Sequence, residues 1–267
     1  MDKAQITNLS YKGHIIFSEL SKYADFYKSL SMSIFRFIPQ GTSAMFNIDS
    51  YLISSIQGTI ESIKLVLQDG KINDSYALTR KYHDSVIINI YEILYLKDHF
   101  NIENFVVKKI NDWVHNKEDL PRSEDMMKYI CKSTALKRVN KMLDLGLKGH
   151  YYNIRKRCND HTHYNLFHYM MLNDNQIYLT DRLKFLEELS SDIRDIFILH
   201  FIWLFTLNEH YMASSDYVDS LDCGLTPEED SQYWVALFVQ KAFDDIIKKY
   251  RLDLATELKN TTCMKLE

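Results

Sequence analysis

Apolar residues recur along this chain at steps of three and four. From Thr42 to Gln68 they fall at Met45, Ile48, Leu52, Ile56, Ile60, Ile63 and Leu67, the period of one helix face and not the alternation of a strand. Gly70 follows as a C-cap and Asn73 as the cap of the next helix. That helix is predicted from Asp74 to Asp98, with Leu78, Tyr82, Val86, Ile90 and Leu94 on its apolar face. A short connection between two long amphipathic segments predicts an antiparallel pair. Shorter helices are predicted at 102–116 and 123–145, the second opened by Ser123-Glu124-Asp125, since anions favour the positive end of a helix. Residues 148–172 read as one helix or two with a break. Thr180 caps a long helix to Met212, and Thr226-Pro227-Glu228-Glu229 opens a last one to Tyr250.

The fold class predicted is therefore all-α, a helical bundle built on long antiparallel helices. Its parts are an N-terminal helical extension over 1–40, one all-helical domain over 41–258 and a frayed tail over 259–267. No linker-like tract interrupts the chain and no fixed-period repeat suggests a solenoid.

Composition agrees with this picture. Apolar residues make up 46% and charged residues 25%, the balance of a chain with a real core. Only 7 Gly and 3 Pro are present, too few for many tight turns, and the 18 Tyr and 14 Phe do not alternate as strands would require. A net charge of −4 gives no global footprint for nucleic acid, so any such binding needs a local basic patch. Cys131, Cys158, Cys223 and Cys263 are scattered, with no zinc-ribbon spacing, and read as free thiols of a reducing compartment. The N-terminus lacks a signal-peptide core. The most apolar run, Ile196–Leu207, contains His200 and is far shorter than the ~20 residues a bilayer needs. A cytoplasmic protein without a membrane span is expected, with His200 a hydrogen-bonded core residue.

One segment concentrates chemistry. Residues 148–168 read KGHYYNIRKRCNDHTHYNLFH, with Arg155, Lys156 and Arg157 followed by Asn159, Asp160, His161, His163 and His168. Metal-independent phosphodiester cleavage uses these residue types. A guanidinium holds the scissile phosphate and its developing charge, and an imidazole moves the proton.

An Arg, a polar residue behind it and a His four to six residues further on, in an all-helical setting, resembles the signature of the HEPN superfamily. The stretch 70–94, GKINDSYALTRKYHDSVIINIYEIL, is similar to the long first-helix pair of related bacterial proteins. The resemblance implies a HEPN-like bundle and a metal-independent endoribonuclease or RNA-binding protein of toxin–antitoxin or phage-defence systems. It also implies a homodimer in which each protomer supplies half of a composite site. On that reading His163 is the acid/base group, Arg157 holds phosphate, and Asn159 and Asp160 orient them. Arg155, Lys156, His161, Arg80 and His83 would contact substrate, and Arg155 with His161 forms a second possible register. On a straight helix, residues 157 and 163 stand about 120° from eclipsed. Convergence thus requires a break near Asn159 or a dimer.

Other readings stay open. Arg155, Lys156 and Arg157 also fit a solvated helix face. His161 and His168 share a face two turns apart, whereas His161 and His163 diverge, and no HExxH spacing occurs, so no metal and no cofactor is expected. Arg80 and Asp84 form a routine i,i+4 pair. Tyr151, Tyr152, Tyr164 and Tyr169 fit core packing or base stacking, and Asp216–Asp222 reads as a solvated linker. No GxSxG elbow or Gly-rich phosphate loop is present. The rival function is a non-enzymatic helical sensor or scaffold that binds a protein partner.

Overall fold

The computed structural model describes residues 4–36, 41–145, 149–173 and 181–267. The protein is all-α, with no strand among the described residues. No helix there is long and apolar enough to cross a membrane. Thr180 and the side chain of Met45 lie outside the described residues.

The chain groups into two compact units. Unit 1 comprises 1–28, 52–87 and 144–197, and unit 2 comprises 29–51, 88–143 and 198–267. Four of the five boundaries fall inside the four longest helices, Ile16–Phe35, Ile48–Gln68, Ile72–His99 and Arg182–Leu207, and the fifth, at 143/144, follows helix Lys137–Met142. Residues 1–28 group with unit 1 and 29–40 with unit 2. Helix 16–35 gives Leu20, Tyr23 and Tyr27 to the interior of unit 1, because its apolar stripe must be covered somewhere.

Unit 1 is built on the buried stripe Ile56, Ile60, Ile63 and Leu67, with Tyr76 and Tyr82, Ile154 and Cys158, and Leu186, Leu189 and Ile193. Tyr27 and Tyr82 join hydroxyls at 2.9 Å, and Tyr23 stacks on Phe197 with ring centres 4.6 Å apart. Helix 48–68 ends as predicted at Gly70, whose φ of 80° no side chain favours. The Gly70 amide donates to the Leu67 carbonyl and the Lys71 amide to that of Val66, closing a Schellman turn. The cap of the next helix is not Asn73. Asn173, a hundred residues on, accepts from the amides of Asn73 (3.0 Å) and Asp74 (3.2 Å), and its own amide group donates to Asp74 at 2.7 Å. Asn73 is thereby released for another bond.

Unit 2 packs Ile90, Ile93 and Leu94 with Ile110, Met126, Ile130, Leu199, Ile202, Trp203, Val239, Phe243, Leu254 and Leu258. Trp203 donates its indole N–H to Asn140 at 2.7 Å, which satisfies a buried polar atom. Four local expectations fail here. The 42–68 helix is interrupted at Asn47, which turns at φ 46° between Gly41–Phe46 and Ile48–Gln68. The 102–116 helix shrinks to Lys108–Val114, since the Asn101 side chain captures the amides of Glu103 and Asn104 in a turn. The 123–145 helix divides into Ser123–Lys132 and Lys137–Met142. The Thr226-Pro-Glu-Glu signal starts no helix. The chain turns at Asp230 (φ 65°), and an extended 234–236 stretch pairs with 212–214 through two backbone bonds of 2.8 Å. Tertiary pairing outweighs the local signal: a 3-10 turn at Ser231–Tyr233 comes first, and α-helix resumes only at Leu237–Ala242, followed by the π-helical Phe243–Lys248.

Two terminal expectations also change. Asp216–Asp222 is a helix with no buried residue and not a linker, its first-turn carboxylates placed where the helix dipole favours them. The tail does not fray. Helix Leu252–Thr261 is followed by buried Met264 and Leu266, and the Lys265 amide donates to the Tyr233 carbonyl at 2.8 Å.

Candidate functional site

Helix His150–Thr162 lies in unit 1 and buries Tyr151, Ile154, Cys158 and His161, a stripe at steps of three and four. Whatever lies on that stripe becomes core, and His161 is the residue the spacing commits. It is 1% exposed. Its ring is sandwiched between Tyr76 (centroids 3.7 Å apart, planes at 8°) and Tyr169 (3.8 Å, 26°), with Phe185 edge-on at 6.2 Å. Nδ1 lies 2.9 Å from Asn73 Oδ1, an acceptor, so Nδ1 carries the proton. Burial, reinforced by His168 and Arg157 and opposed by Asp160, lowers the His161 pKa to about 4. The ring is neutral at pH 7.

The arginines flank this stripe and face carboxylates. Arg155 Nε is 3.3 Å from Asp84, which Arg80 approaches at 3.9 Å. Arg157 grips Asp192 with both sides of its fork, Nε to Oδ2 at 3.0 Å and a terminal nitrogen to Oδ1, with Glu188 3.6 Å away. Asp192 is 1% exposed on its side chain. Burial pushes its carboxyl up while Arg157 holds it down. Glu188 and Phe185 in turn receive the Tyr76 hydroxyl, at 3.4 and 3.5 Å. Lys156 is exposed.

His163 does not share this environment. The helix runs unbroken through Asn159 and stops at Thr162, so of the two routes to convergence, a break near Asn159 or a dimer, the break is not present. Tyr164 turns at φ 49°, its amide donating to the His161 carbonyl, and the Asn165 amide reaches the Asp160 carbonyl at 3.0 Å. Asp160 also accepts from the Asn165 side chain at 2.6 Å, so its carboxylate fixes the helix end and not the His163 ring. His163 is exposed, and among the described residues its ring makes no hydrogen bond or ion pair. Asn159 keeps its side-chain oxygen buried without a partner there. His83 is 1% exposed, with neither ring nitrogen hydrogen-bonded among the described residues and Nδ1 3.9 Å from Asp84.

The structure thus brings Arg80, Asp84 and Arg155 together, and separately Arg157, Asp192 and Glu188. It gives Arg157 and His163 unlike surroundings. Sequence reading missed Asp192 and Asn173, whose only signal was their residue type, and gave Asn73 a capping role in place of its bond to His161. Just beyond Thr162, residues 163–168 and Met170 are exposed, apolar side chains among them. Leu166, Phe167 and Met170 show 50%, 75% and 47% of their surface, and helix Phe167–Met171 buries none of its residues. Among the described residues no group of three or more His, Cys, Asp or Glu could hold a metal ion. No protein-family model, curated protein or solved structure matches the chain.

Proposed function

We propose that this protein is a non-enzymatic helical module that binds a protein partner through the exposed segment 163–170. One observation carries the reading. Each arginine of the cluster, Arg80, Arg155 and Arg157, already faces a carboxylate, while Tyr164, Leu166, Phe167 and Met170 stand exposed beside it. A phosphate would have to displace Asp192 from Arg157 and leave that buried carboxylate uncompensated, a cost of several kcal/mol. A cluster of exposed apolar side chains is a common mark of a contact surface. Native protein should bind a hydrophobic fluorescent dye, and Phe167→Ser should weaken that binding.

A second reading keeps the HEPN-like endoribonuclease acting as a homodimer, and the exposure of His163 favours it. Incubation with single-stranded RNA in chelator separates the two. The module gives no cleavage above buffer, and Arg157→Ala and His163→Ala are equally inert. Cleavage that either substitution abolishes establishes the second reading and rejects the first.

A further inference from the structure

Unit 2 contains a polar cluster that neither reading uses. Asp49, buried near the start of helix 48–68, accepts from the Asn89 side-chain amide at 2.9 Å and from the Tyr211 hydroxyl at 2.7 Å. Asn89 Oδ1 in turn lies 2.9 Å from His200 Nε2, which places the His200 proton on Nε2. Burial lowers the His200 pKa to about 3, so this ring is neutral. Lys97 donates to the Leu207 carbonyl and lies within electrostatic reach of Asp49.

Glu92 sits one turn beyond Asn89 on the same helix and is fully buried. Neither of its oxygens has a donor among the described residues. Asn89, one turn earlier, is bonded to Asp49, and the Asp49 and Glu92 carboxyls lie within electrostatic reach of each other. Two carboxylates present only acceptors to each other, and buried like charges at that range repel strongly. A proton between them converts the repulsion into a charge-assisted hydrogen bond. Asp49 has Asn89, Tyr211 and Lys97 to support its charge, whereas Glu92 has none of them.

We propose that Asp49 and Glu92 hold a single shared proton, resident on Glu92 and donated to Asp49, and that unit 2 keeps its interior intact only while that proton is bound. The other titratable groups around the pair are Tyr211, His200 and Lys97, with Glu209 and His210 beyond Lys97. Burial first and the Asp49 charge second raise the Glu92 pKa. Stability from Glu92 is therefore fully present below the ordinary carboxylate range and declines as pH rises through its elevated folded value.

Infrared spectroscopy of the intact chain at pH 7 tests this. The expected result is a carbonyl band of a protonated carboxyl that disappears in Glu92→Gln. Denaturant midpoints from pH 6 to 9 should fall for the native chain and stay level for Glu92→Gln. If that variant does not fold, Glu92→Met takes its place, and the native spectrum needs no variant. No protonated-carboxyl band in the native protein, a band unchanged by removing Glu92, or a midpoint that holds or rises with pH would each overturn the proposal.

Discussion

Helix 72–99 supplies buried polar residues to both units, and the two sets are satisfied in opposite ways. In unit 1, Asn73 and Tyr76 enclose His161, while Asp84 and Asp192 each meet an arginine. In unit 2, Asn89 and Glu92 meet a carboxylate and a neutral histidine, with no arginine bonded to the pair among the described residues. The first cluster balances charge with charge. The second removes charge with a proton. Truncating a partner should therefore be costly in unit 1, whereas neutralising Glu92 should cost little or stabilise.

The largest expected effect is Arg157→Ala. Asp192 would be left buried and unpaired, and urea unfolding should show a loss of about 3 kcal/mol. If the loss resembles that of an exposed salt bridge, below about 1 kcal/mol, Asp192 is solvated and the contrast between the units disappears. Next comes His161→Ala, which removes two ring stacks and the bond to Asn73, with an expected loss of about 2–3 kcal/mol. Asn173→Ala deletes the cap of helix 72–99 and should cost about 1 kcal/mol, read as a lower thermal midpoint. His163→Ala touches no interior group and should stay within about 0.5 kcal/mol of the parent. A larger loss there would place His163 in the structural cluster.

Acid should sharpen the comparison further. The His161 pKa is lowered to about 4 from an ordinary 6.5, so the unfolded chain binds its proton first. Stability from this residue is complete above about pH 6.5 and is lost as pH falls toward 4. Unit 2 moves the other way, losing the Glu92 contribution as pH rises. Stability curves of His161→Phe and Glu92→Gln should thus flatten on opposite sides of neutrality.

Much of the fold was legible because it rests on local period. The apolar steps through Ile56–Leu67 and Tyr82–Leu94 became buried stripes, and Gly70 closed the first helix as its position implied. The Thr226-Pro-Glu-Glu signal misled because an extended pairing with residues 212–214 supplied the backbone bonds instead. The candidate site was legible only in part. The pattern Tyr151, Ile154, Cys158, His161 already commits His161 to a buried face. The partners that decide the chemistry of Arg157 and His161 lie 35 and 88 residues away. Those of Asp49 lie 40 and 162 residues away. No spacing rule reaches such pairs, because the fold and not the local chain brings them together.

We infer that His161, locked by ring stacking, is a packing element and not a proton-transfer group, which would need a pKa near its working pH. Nitrogen-15 NMR of the His161 ring across pH 3 to 8 tests this most directly. A neutral ring protonated on Nδ1 down to about pH 5, titrating near 4 as the structure loosens, is the predicted result. Titration near 6.5 with the fold intact would contradict it, since the ring would then be solvated and available for chemistry.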